Sequence, residues 1–326
     1  MSHGPWALLE IERQRGRPLL LAARVPENLP GCHFDGLDLE AWIDEFLIDI
    51  LVLGTRTAKV DIAAFRRLAR GTPIKLYPSW DNHHSSDGYR ETDLEIWRGV
   101  CANWWRQNPD GMHTFNLMLP SPQAAQNSGA RPPPGWPTQR RVFAEIGNPE
   151  TLKFKDKVFF VERRGGGHDQ PVVPAPDNWH TPRHMYFQSN MQAPLPTPLD
   201  AAGGTDALLR LEVADEVSSA AEKIAALTLR LAISAEVPTA LCSGTELEQI
   251  ASLIELRINN ILLGTPRPET VSAPQDDIFK HWLAVAVAPT CLAIGANLVG
   301  ARLRQPPAAG YGRISLEKLE LHLCYK

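Results

Sequence analysis

Leu19-Leu20-Leu21-Ala22-Ala23-Arg24-Val25, Ile48-Asp49-Ile50-Leu51-Val52-Leu53-Gly54, Ile74-Lys75-Leu76-Tyr77-Pro78 and Met112-His113-Thr114-Phe115-Asn116-Leu117 are the runs whose reading decides the fold. Each is short, mostly apolar and largely unalternating, the pattern of a parallel strand covered on both faces. Between them the spacing becomes helical. Leu39, Trp42, Ile43 and Phe46 make one apolar face, Ile62, Phe65, Leu68 and Ala69 a second, and Leu94, Trp97, Val100, Cys101 and Trp104 a third. Strict alternation of strand and helix predicts an α/β layer in which the helices cover the sheet. Asp38 and Asp61 stand where N-caps belong, ahead of Leu39 and Ile62. Upstream, Trp6 to Glu12 reads as the tail of a helix, closed by Gly16 and Pro18.

In a parallel α/β arrangement, ligands bind at the C-terminal ends of the strands. Arg24 stands at that end of the first run, either presenting its guanidinium to a ligand oxygen or carboxylate, or held in an internal ion pair. Thr55 and Arg56 reach the same rim after the second. The third run is followed by a polar loop from Asp81 to Glu91, in which Asp81, His83, His84, Asp87 and Glu91 have the chemistry of a nucleophile, an acid/base or metal ligands. Adjacent histidines do not face one site easily, and Asp87-Gly88 is ordinary turn chemistry, so no metal is expected there. His180 and His184 have a helical spacing, but Pro182 between them makes that stretch a loop. Tyr77, Trp80 and Tyr89 form either a platform for the flat face of a sugar or part of an α/β core.

The 326 residues exceed one typical domain. A net charge of -4 without a long basic run points away from nucleic acid, and no apolar run has the ~18 residues of a membrane span. Residues Met1 to Glu12 lack the charged and apolar regions of a signal peptide, so the chain as given reads as cytoplasmic. Five scattered cysteines with no C-x-x-C spacing read as reduced, buried thiols. Residues 120–137 and 163–182 are rich in Pro and Gly and read as loose excursions, although Val142 to Lys153 resumes order as a short helix and Lys157–Val161 as a strand. Beyond Pro198 the period changes to two, as in Leu208-Leu209-Arg210-Leu211-Glu212-Val213 and Leu227-Thr228-Leu229-Arg230-Leu231-Ala232-Ile233. Repeated half-buried strands of this kind predict an antiparallel β-sandwich. The expected division is 1–162 for the α/β part, 163–205 for a linker and 206–326 for the sandwich.

Ala102-Asn103-Trp104 on a helix, followed by Asp110-Gly111-Met112-His113-Thr114-Phe115-Asn116, resembles the last helix and strand of a group of glycoside-hydrolase-like (β/α)8 barrels. Ala23-Arg24-Val25-Pro26, Gly36-Leu37-Asp38-Leu39-Glu40-Ala41-Trp42 and Asp49-Ile50-Leu51-Val52-Leu53-Gly54 resemble its fifth strand, fifth helix and sixth strand, and Ile146-Gly147-Asn148-Pro149-Glu150-Thr151-Leu152 its closing segment. Arg257-Ile258-Asn259-Asn260, Trp282 to Pro289 and Leu292-Ala293-Ile294-Gly295-Ala296-Asn297-Leu298-Val299 are similar to the galactose-binding-like jelly roll that accompanies many glycosidases. The fold class these resemblances imply is α/β plus all-β: a partial (β/α)8 barrel, strands 5 to 8, with a C-terminal antiparallel β-sandwich.

That resemblance implies a glycan or oligosaccharide as partner, with no cofactor and no metal. Asp81 and Glu91 become the candidate catalytic residues, and Arg24, Arg56, Tyr77, Trp80 and Asn116 the candidate substrate-binding residues. Retaining sugar hydrolases on such barrels carry the acid/base after the fourth strand, which would lie upstream of Met1, and the nucleophile after the seventh, which here ends without a glutamate. Hydrolysis needs two carboxylates about 5–9.5 Å apart. An incomplete copy with a deficient active site is therefore expected, open to self-association through its sheet edges. The alternative is a non-catalytic carbohydrate-binding or structural protein.

Overall fold

The computed structural model describes residues 4–54, 57–82, 89, 92–117, 122–127, 136–164, 193–199, 206–237, 241, 243–270, 281–308 and 310–326. Its first part runs α1 (Gly4–Arg15), β1 (Ala22–Val25), α2 (Leu29–Phe34), α3 (Leu39–Asp44), β2 (Ile50–Leu53), α4 (Ile62–Leu68), β3 (Lys75–Asp81), α5 (Leu94–Trp105), β4 (His113–Phe115), α6 (Pro122–Asn127) and α7 (Trp136–Glu145). The remainder runs β5 (Lys157–Val161), β6 (Thr197–Pro198), β7 (Ala207–Val213), β8 (Ile224–Ala235), α8 (Gly244–Leu253), β9 (Ile254–Ile258), β10 (Ile261–Leu262), β11 (Arg267–Glu269), β12 (Trp282–Ala286), β13 (Gly295–Leu303) and β14 (Ile314–Tyr325). An α/β part is thus followed by an all-β part.

β1 to β4 form one parallel sheet in the order β1-β2-β3-β4. Each connection moves one place in the same direction. Right-handed crossovers then put the intervening helices on one face of the sheet. Leu51, Leu53, Leu76 and Trp80 occupy that face, all fully buried, and share a core with Leu39, Ile43, Ile62, Phe65, Leu94 and Trp97 from the helices. The expected caps form: Asp38 Oδ1 accepts from the Ala41 N–H at 3.0 Å and Asp61 Oδ1 from that of Ala64 at 3.0 Å. β3 continues past Pro78 to Asp81, because Ser79, Trp80 and Asp81 pair with His113, Thr114 and Phe115 of β4.

The all-β part contains two antiparallel sheets, β10-β9-β13-β7 and β11-β12-β8-β14-β5, with β6 added beside β14. Their inward residues, Leu209, Leu211, Leu256, Ile258 and Val299 from one and Leu229, Leu231, Leu283, Leu319 and Leu321 from the other, belong to a single apolar core. β9 and β10 are joined by Asn259 and Asn260, both at positive φ (49° and 68°), the backbone that a tight two-residue hairpin demands. Asn297 is buried, with its amide bonded to Ala293 and Gly295 and to the Asn259 side chain, so it holds the turn that leads into β13 and ties it to the hairpin. β5 lies in sequence with the α/β part, yet pairs antiparallel with β14, from Lys157↔Leu323 to Val161↔Leu319. Cys32, Cys101 and Cys291 are buried free thiols and Cys324 is a half-buried one. No helix among the described residues is long and apolar enough to cross a membrane.

Candidate ligand-binding face

Parallel pairing fixes which side chains share the face of the first sheet opposite α3, α4 and α5. Arg24, Val52 and Tyr77 lie in one register row, and Ser79 lies opposite His113 with Asp81 opposite Phe115. Because side chains alternate along a strand, Arg24, Val52, Tyr77, Ser79, Asp81, His113 and Phe115 all project from the same side. Their polar members cluster toward the C-terminal ends of the strands.

Arg24 is exposed, and its guanidinium carbon lies 4.0 Å from the centroid of the Phe115 ring. It forms no ion pair with a described carboxylate. Its charge is held by the ring quadrupole, which leaves the edge of the guanidinium fork as a donor array for ligand oxygens. The Ser79 hydroxyl and His113 Nδ1 are 2.8 Å apart. Ser79 is fully buried, so the pair orients the imidazole and offers no accessible nucleophile. Burial, aided by the Arg24 charge, holds the His113 pKa below the ordinary histidine value.

Asp81 is 2% exposed, and its Oδ1 accepts from Asn116 Nδ2 at 3.0 Å. Asn116 follows β4 directly with φ at 54°, a left-handed conformation that asparagine tolerates better than most residues. Tyr77 is half-buried and lies against Gly111, where an added Cβ would come within 2.4 Å of the ring. Glycine at 111 thus sets the position of the tyrosine.

Of the residues singled out by sequence, Arg24, Tyr77, Asp81 and Asn116 come together here. Trp80 does not. It points to the helix side, fully buried, with its ring 4.8 Å from that of Trp97 in an edge-on contact. Alternation within β3 requires this, since Tyr77 and Trp80 are an odd number of residues apart. Tyr89 is also internal, 4.0 Å from the Phe160 ring and donating to Glu320 Oε1 at 2.9 Å. Two members of the aromatic set are therefore core. Arg56, His83, His84, Asp87, Glu91, His180 and His184 lie outside the described residues. Among the described residues no cluster of His, Cys, Asp and Glu has the makings of a metal site.

Ser79 lies two residues from Tyr77, so alternation along β3 carries the sequence signal for it, whereas His113 and Phe115 reach this face through their register with Ser79 and Asp81, which no local pattern encodes. Glu27 is a further residue of this rim, and no sequence motif marks it. It follows β1 by two residues and is 4% exposed. Burial, with lesser contributions from the Glu162 and Asp35 charges, pushes its carboxyl up to about 7. Glu162, just past β5, is 8% exposed and accepts the Lys59 N–H at 2.7 Å. Gly54, at φ 94°, lets these rim segments close together, since a Cβ there would sit 3.1 Å from the Ser79 carbonyl oxygen and 3.4 Å from Glu27 Cβ.

No protein-family model matches the chain, and no curated protein is significantly similar to it.

Proposed function

We propose that the face of the parallel sheet opposite α3, α4 and α5 binds a glycan, in a glycoside-hydrolase-like protein whose β1 to β4 correspond to strands 5 to 8 of a (β/α)8 barrel. The barrel assignment is supported by the sequential strand order with helices on one face. The observation that carries the binding function is the convergence of Arg24, Tyr77, Asp81 and Asn116 on one face at the C-terminal strand ends. Donors, an acceptor and a half-buried aromatic ring in one place suit a hydroxyl-rich ligand with an apolar ring face. Tyr77 packs against that face, Arg24 donates to ligand oxygens, and the buried Asp81 carboxylate holds the Asn116 amide in place at the edge of the site.

Asp81 is the one carboxylate that β1 to β4 themselves bring to the C-terminal end of this face. Glycoside hydrolysis uses a pair. This favours binding without turnover by these residues alone, and leaves Asp81 with Glu91 as the pair that hydrolysis would require. β1 and β4 are the outer strands of this sheet among the described residues, and we extend the proposal to self-association through those edges.

Calorimetric titration with an oligosaccharide panel, beside an assay for released reducing ends, tests both parts. The expected result is saturable binding with no release. Arg24→Met and Tyr77→Ala are each expected to weaken binding about tenfold or more. Wild-type affinity in both variants would remove the sheet face from consideration, and sugar release abolished by Asp81→Asn would establish an enzyme.

A further inference from the structure

A cavity of about 580 Å³ opens where α5, the segment after α7 and β5 meet the β7–β8 connection and the end of β14. It shares no residue with the sheet face. Its polar centre is Lys157, whose side chain is 1% exposed. Lys157 Nζ donates to Asp215 Oδ2 at 2.8 Å and to the Lys155 carbonyl at 3.1 Å. Tyr325 Oη donates to the same Asp215 oxygen at 2.6 Å. An ammonium has three protons, so these two bonds leave Lys157 one donor, on an ammonium that also lies 5.4 Å from the centroid of the Tyr325 ring. Asp215 receives both bonds on Oδ2, which leaves Oδ1 as an acceptor beside that donor.

The walls are aromatic. Phe154 meets the Tyr325 ring edge-on, with centroids 5.6 Å apart and planes at 81°. The other cations along the cavity are already engaged: Lys153 with Glu150 at 2.7 Å, Lys223 over the Phe154 ring at 3.8 Å, and Arg106 on the Val213 carbonyl. Asp215, Glu216 and Glu222 also line it, so a ligand anion meets carboxylates and a ligand cation meets Lys157 and Arg106. The group best matched to adjacent single donor and acceptor sites next to aromatic rings is a neutral hydroxyl pair on a saturated ring.

We propose that this cavity binds one neutral sugar residue, with Lys157 Nζ and Asp215 Oδ1 meeting adjacent ring hydroxyls and the Tyr325–Phe154 corner packing on its C–H face. The proposal extends the glycan function to a second place and takes only its choice of probes from it. The size of the cavity falls within the range of small-ligand sites, about 300–1,000 Å³.

The test uses galactose, glucose and xylose, with glucuronate and glucosamine as charged controls, titrated against the full chain and followed by saturation-transfer NMR. At least one neutral sugar is expected to bind. Phe154→Ala removes a half-exposed ring, and circular dichroism shows whether the fold is kept; it is expected to weaken binding about tenfold. Asp215→Asn is expected to weaken it as well, and Phe154→Ala decides the matter if that variant does not fold. Absence of binding by every neutral sugar overturns the proposal, as does binding confined to a charged control. Binding lost in Arg24→Met but kept in Phe154→Ala places the sugar on the sheet face and also overturns it. Failure of the sheet face with oligosaccharides leaves the cavity result untouched.

Discussion

Glu27 ties a single side chain to the pH dependence of the whole chain. Its carboxyl, ordinarily near 4.5, is raised to about 7 by burial between the end of β1, α2 and Glu162. Between those values the folded state keeps a proton that the unfolded chain releases. Stability therefore falls as pH rises through that window, and levels off once both states are ionised. The full difference is about 3 kcal/mol, taking ~1.4 kcal/mol per pH unit. Glu27→Gln replaces the carboxyl with a neutral group of the same shape. Its stability in urea is expected to match wild type near pH 4.5 and exceed it at pH 8 by roughly 2–3 kcal/mol. Equal wild-type and variant stabilities at pH 8 would show that Glu27 ionises at no cost. The Arg163–Glu317 pair behaves differently. Both side chains are essentially buried, 3.0 Å apart, with Ser234 also donating to Glu317. Arg163→Met strands the carboxylate and is expected to cost about 3–5 kcal/mol, read from the denaturant midpoint. Sequence marked Arg24 as important but left open what holds it. The answer, stacking on Phe115 three strands away, depends on sheet order and curvature, which no local pattern encodes.

At the scale of elements, α5 packs directly on the backbone of β5. Gly99 lies on α5 where an added Cβ would come within 2.0 Å of the Val158 carbonyl oxygen and 3.5 Å of the Phe159 ring. The obstructing atom is backbone, so the helix must move away from the strand. Gly99→Ala gains helix propensity of ~1 kcal/mol, yet is expected to be destabilising overall by more than about 2 kcal/mol, in thermal or urea unfolding. A neutral or stabilising result would mean that the helix shifts without loss. The elements themselves were legible where the signal is local. The caps at Asp38 and Asp61 and the apolar runs of β1 to β4 mark their elements to within a few residues. α8 carries an equally local signal, a capping box from Ser243 to Glu246 with Leu247, Ile250 and Ala251 on its buried face. α2 is likewise announced by Asn28, whose Oδ1 accepts from the Gly31 N–H at 2.8 Å, and by Pro30 in its first turn. The placement of β5 was not legible. Its partner β14 lies more than 150 residues on, and alternation alone does not choose among strands with equally apolar faces.

Among the described residues there are two apolar cores, one around the parallel sheet and one between the antiparallel sheets. What joins them is specific. Phe160 belongs to β5 in the all-β part, but its ring packs into the other core, 4.0 Å from Tyr89 and 6.4 Å from Trp80. Tyr89 in turn donates to Glu320 on β14 and lies under the Lys318 ammonium at 4.5 Å, while Asn103 on α5 donates to the Glu212 carbonyl at 3.1 Å. Aromatic burial and hydrogen bonds therefore couple the two parts more strongly than a hinge would. The wild-type chain is expected to unfold in one calorimetric transition, with equal calorimetric and van't Hoff enthalpies. Phe160→Ala removes the shared ring and is expected to cost about 3 kcal/mol and to split the transition in two, because each core keeps its own residues while losing the contact that made their unfolding simultaneous. Two transitions in the wild type would mean that the parts are stable independently and that β5 serves only the sheet in which it is paired.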